Sequence, residues 1–86
     1  MIFITLVKWK TAPKKEHVDR FTKTIEGLEK KGIKIRTYWT LGRYNGVSII
    51  EAPTEKDVMK MLLPWIDIVD LETIVAIPRE EAIKLL

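Results

Sequence analysis

Eighty-six residues, 47% of them hydrophobic, leave room for one small folded domain and exclude a disordered chain. Cysteine is absent, which removes disulfides, thiolate nucleophiles and thiolate metal sites. The net charge of +3 hides a division: residues 1–46 hold eleven Lys/Arg against four Asp/Glu, and residues 47–86 hold four against eight. A basic and an acidic half suggest opposite-signed faces that meet in an oligomer more readily than a nucleic-acid surface.

No apolar run nears the roughly 18 residues of a membrane span. The start, MIFITLVKWK, lacks the basic lead and small-residue cleavage site of a signal peptide. No membrane partner and a cytoplasmic location are the expectations. Glutamine is missing and Asn45 is the one asparagine, while Lys, Glu and Ile are frequent. That composition fits a heat-adapted source, and biased codon usage would give the same picture.

Along the chain, Ile2 to Trp9 is apolar on both alternating faces, with Ile2, Ile4 and Leu6 on one and Phe3, Val7 and Trp9 on the other. The pattern predicts a strand buried on both sides. After Pro13, the residues Val18, Phe21, Ile25 and Leu28 recur at helical spacing, and Lys30, Lys31 and Gly32 close that helix. Ile33 to Thr40 alternates apolar with basic and hydroxyl residues, as a half-exposed edge strand does. A turn at Leu41–Gly46 leads into a more apolar strand, Gly46 to Ala52, and the two strands make a hairpin. Thr54 and Asp57 have the spacing of a helix start, with Val58, Met61, Leu62 and Trp65 as the buried stripe that follows. Ile68 to Pro78 alternates as a fourth strand, and Arg79 to Leu86 forms a short helix or tail.

The order predicts one α+β domain over residues 1–86, a ferredoxin-like βαββαβ sandwich. An antiparallel four-stranded sheet carries two helices on one face, with the first and third strands central. Two helices cover one side only, yet the first strand is apolar on both. Sheet-to-sheet association of two copies, a dimeric α/β-barrel-like pair, would cover the second side.

The segment YWTLGRYNGVSIIEAPTEKDVMKML, residues 38 to 62, resembles the GYD family of small proteins and its Y-T-L-G-x-Y-D-hydrophobic-E-A-P pattern. Tyr38, Leu41, Gly42, Arg43, Tyr44, Glu51, Ala52 and Pro53 match it. Asn45 stands where the family has Asp, and Trp39 is inserted before the usual threonine. The resemblance implies a ferredoxin-like, dimeric α/β-barrel fold and no established activity. A weaker likeness is to the ligand-binding domains of Lrp/AsnC regulators, without their DNA-binding helices. It implies at most a stand-alone effector-binding module.

Trp9, Tyr38, Trp39, Arg43, Tyr44 and Asn45 are the candidate ligand-binding residues, offering aromatic walls, a cation and an amide. Cofactor-independent monooxygenases of the dimeric α/β-barrel class use comparable sets. The same residue types also fill dimer interfaces. His17, the only histidine, and Tyr44 are the catalytic candidates. One histidine and no cysteine cannot build a transition-metal site, so no metal and no cofactor are expected. The strand GVSIIEA lacks the aromatic and basic residues of RNA-recognition domains, so no sequence-specific nucleic-acid partner is expected. The expectation is a homo-oligomeric small-molecule-binding or interaction module, with a cofactor-independent oxygenase or isomerase as the alternative.

Overall fold

A computed structural model describes residues 1–86. Four strands, β1 (Ile2–Trp9), β2 (Lys34–Trp39), β3 (Gly46–Glu51) and β4 (Val69–Ala76), pair throughout as antiparallel neighbours in the order β2-β3-β1-β4. Helix α1 (Lys15–Lys30) connects β1 to β2, and α2 (Glu55–Leu62) connects β3 to β4. A short α3 (Arg79–Ile83) follows β4. This is the α+β ferredoxin-like arrangement the periodicities predict, with basic β2 at one edge and acidic β4 at the other.

The elements end where local chemistry stops them. Gly32 takes a φ of +81°, its N–H reaches Glu29 O and the Ile33 N–H reaches Leu28 O. These two bonds are the Schellman closure of α1, and glycine supplies the left-handed residue it needs. At the start of α2 the Thr54 N–H and hydroxyl both donate to Asp57 Oδ2, at 3.1 and 3.0 Å. Pro64 ends that helix sooner than the apolar stripe suggests: Leu63–Trp65 is a 3-10 turn, and Trp65 is buried at its end.

Phe3, Ile33, Ile50, Ala52, Val58 and Met61 make the buried cluster, at the end of the sheet where β1 begins and β3 finishes. Leu28, Ile35 and Leu62 pack around it. Helix α2 buries Val58 and Met61, whereas α1 buries no residue fully and leaves Val18 39% exposed. The expected α1 stripe therefore faces the sheet without being packed tightly onto it.

Candidate functional site

Strand register sorts the two faces of the sheet. Thr37, Ser48, Thr5 and Thr73 are successive cross-strand partners on the helix-covered face, one from each strand. The next row on that face is Trp39, Gly46, Val7 and Leu71. Four small hydroxyl residues and a glycine sit where a sheet under two helices usually carries large aliphatics. The missing volume is a cavity of about 70 Å³ between β1, α1 and the end of α2.

Its floor is Thr5, Ser48, Thr37 and Gly46, and its walls include Trp9, Phe21, Trp39 and Trp65. None of the lining side chains is charged. The hydroxyls pair along the row, Thr37 Oγ1 with Ser48 Oγ at 3.0 Å and Thr5 Oγ1 with Thr73 Oγ1 at 2.9 Å. No buried side-chain polar atom is left without a partner. The first half of α1 roofs the hollow through aromatic contacts. Phe21 meets Trp65 edge-on at 5.6 Å, the Arg20 guanidinium lies 4.4 Å over the same indole, and His17 stacks on Trp9 at 5.7 Å. Arg20 also donates to Pro64 O at 3.0 Å, which ties α1 to the turn after α2.

Trp9 and Trp39 also line a second, open hollow of about 500 Å³ with Lys10, Thr11, Thr40 and Asn45. Asn45 holds this rim together: its Oδ1 accepts the Trp9 backbone N–H at 2.9 Å and its own backbone N–H donates to Val7 O at 2.8 Å.

The sequence matches the family described as "Domain of unknown function (DUF3303)" over residues 1–86. The chain belongs to it. No curated protein matches the chain.

Within this DUF3303 chain the six candidate binding residues divide between two faces. Trp9, Trp39 and Asn45 gather at the cavity and its rim. Tyr38 points to the open face, in a row with Val47, Leu6 and Glu72. Tyr44 lies near it, donating its hydroxyl to Glu72 Oε2 at 2.7 Å, with the Arg43 guanidinium 5.6 Å from its ring. That hydrogen bond to a carboxylate raises the Tyr44 phenol above its ordinary value, with desolvation and the Glu72 charge adding to it and Arg43 opposing. A phenol held protonated is a donor at neutral pH and a poor base. His17 receives the Lys14 N–H on Nδ1 at 3.3 Å and touches the cavity only through Trp9. The two catalytic candidates are thus on opposite sides of the sheet. No group of three or more His, Asp or Glu side chains is placed to hold a metal ion.

Sequence reading missed the lining residues Phe21, Trp65, Thr5, Thr37 and Ser48. The hydroxyls were the available signal: Thr5 interrupts the apolar run Ile2–Val7 in β1, and Ser48 stands between Val47 and Ile49 in β3. Only the cross-strand register shows that they share one row.

Proposed function

We propose that this DUF3303 chain is a homo-oligomeric small-molecule-binding module. The observation that carries the reading is the uncharged cavity under α1, which all three tryptophans of the chain line. A site of this kind, apolar walls around a few fixed polar groups, is what small-molecule recognition requires.

The self-association half of the reading rests on the other face. Ile2, Ile4 and Leu6 of β1, Val47 and Ile49 of β3 and Ile74 of β4 form a continuous aliphatic surface there. Ile49 is 38% and Ile74 47% exposed within one copy. A second copy placed sheet to sheet would cover this surface, as the resemblance to GYD proteins and the dimeric α/β-barrel type suggests. The cofactor-independent enzyme is the second reading. The stack of His17 on Trp9 favours it, since it sets the one histidine beside the cavity rim.

Native mass spectrometry of gently purified protein tests both halves. The expected result is an oligomer that retains a small apolar adduct. A bare monomer would overturn the proposal.

A further inference from the structure

We infer that the cavity takes a neutral aromatic molecule carrying one hydroxyl or carbonyl oxygen, with its ring against the tryptophans and its oxygen on the hydroxyl row. The inference rests on the small-molecule reading above and names the class of ligand.

Charge comes first. The lining side chains include no Lys, Arg, His, Asp or Glu. A carboxylate or ammonium entering this space would lose its hydration and meet no charged side chain on the lining, since Arg20 lies against Trp65 and is engaged by Pro64 O. The ligand is therefore neutral.

Shape comes second. Trp9, Phe21, Trp39 and Trp65 line a space of about 70 Å³, about half the roughly 150 Å³ of an engineered cavity that holds benzene, and Trp9 and Trp39 continue it into the open hollow alongside, which gives a ring its remaining room. Aromatic walls favour the offset and edge-on contacts of a flat ring over those of a branched chain. Gly46 keeps that space open. Its φ is not positive, and an added Cβ would meet only Tyr38 O at 3.4 Å and Val7 Cβ at 3.7 Å. Neither backbone conformation nor a clash forces glycine here, so the vacant volume is what its small size provides.

Polarity comes third. Thr5 and Ser48 are 1% and 4% exposed, yet both carry hydroxyls in the middle of a sheet. Valine and alanine would fill these positions without any polar atom to satisfy. In each pair, Thr5 with Thr73 and Thr37 with Ser48, the mutual bond uses one of two hydroxyl protons. The second proton and the spare lone pairs can meet a ligand oxygen, donating to a carbonyl or accepting from a hydroxyl. Local rules broken at buried positions without a packing gain mark sites kept for binding.

The test compares three probes of one ring size: phenol, benzene and benzoate. Every tryptophan lines the cavity, so intrinsic fluorescence, excited on the red edge of the indole band, reports its occupancy directly. Phenol is expected to bind about five- to tenfold more tightly than benzene, the worth of one neutral hydrogen bond, with benzoate weakest. Thr5→Val and Ser48→Ala should each shrink the phenol-over-benzene preference, and Gly46→Val should abolish binding of both. Equal affinities for phenol and benzene, or a preference for benzoate, would overturn the ligand class while leaving the small-molecule reading in place. Phenol bound equally well by Gly46→Val would put it outside the cavity and also sink the class. No binding of any probe, together with a Gly46→Val protein more stable than the parent, would remove the small-molecule reading itself.

Discussion

The two faces of this sheet are built against the usual allocation. The row Thr37, Ser48, Thr5, Thr73 lies under the helices, and its neighbour on the bare side is Arg36, Ile49, Ile4, Ile74. Small hydroxyl side chains are placed where cover exists, and isoleucines where it does not. Apolar burial is the main favourable term in folding, so a chain of this size gains little by leaving isoleucines wet. On the reading proposed above, the covered face is relaxed to hold something small and the bare face is left to associate.

The largest expected effect contrasts the two ends of the covered face. Phe3 is 2% exposed inside the packed cluster, and Phe3→Ala should cost about 3–5 kcal/mol in denaturant unfolding. Phe21 roofs a hollow, so Phe21→Ala should cost clearly less, and equal losses would deny that the two ends differ in packing. On the bare face, Ile49→Lys would bury an unpaired charge in a sheet-to-sheet interface and should weaken association by about 3 kcal/mol. Light scattering reads that as a loss of mass, and an unchanged oligomer would place the interface elsewhere. Trp9, which lies on the helix side, is the matching control and should leave the mass alone when substituted.

The smallest effect concerns pH. Tyr44 titrates higher in the folded protein than its ordinary value of 10.0, so its bond to Glu72 stabilises the fold fully below that value. The contribution is lost as pH rises through the folded value. Tyr44→Phe should therefore be slightly less stable than the parent at neutral pH, and the gap should close in strong alkali. A gap constant across the alkaline range would mean that the hydroxyl bond contributes nothing.

Periodicity made most of the fold legible. Alternation in β1 and β4, the three- and four-residue spacing in α1, and the Thr54–Asp57 start of α2 each predict their element. The end of α2 was harder, because Trp65 keeps the apolar rhythm through a proline that tightens the chain into a 3-10 turn. The candidate site was legible only in part. Trp9 and Trp39 share one rim, but Tyr38, one residue earlier in the same strand, faces the other way, as a period of two requires. Nearness in sequence suggested one pocket, and the pleat divides it. Phe21 and Trp65 meet at 5.6 Å from elements far apart in the chain, a juxtaposition that no local pattern carries.

Asn45 holds a consequence for the lifetime of the protein. It precedes Gly46, the context in which an asparagine amide is lost most readily, because the next backbone nitrogen is unhindered and can attack the side-chain carbonyl. In the fold that carbonyl oxygen accepts the Trp9 N–H, and the Asn45 N–H is held by Val7 O. Ring closure to the succinimide turns that side-chain carbonyl onto the Gly46 nitrogen and away from the Trp9 backbone N–H. The native hairpin therefore shields its own weakest covalent point, and unfolding starts a clock. Samples held unfolded should convert Asn45 to aspartate and isoaspartate faster than folded ones. Conversion to isoaspartate adds a methylene to the backbone between the bonds that hold the turn to β1, so chemical ageing loosens the rim.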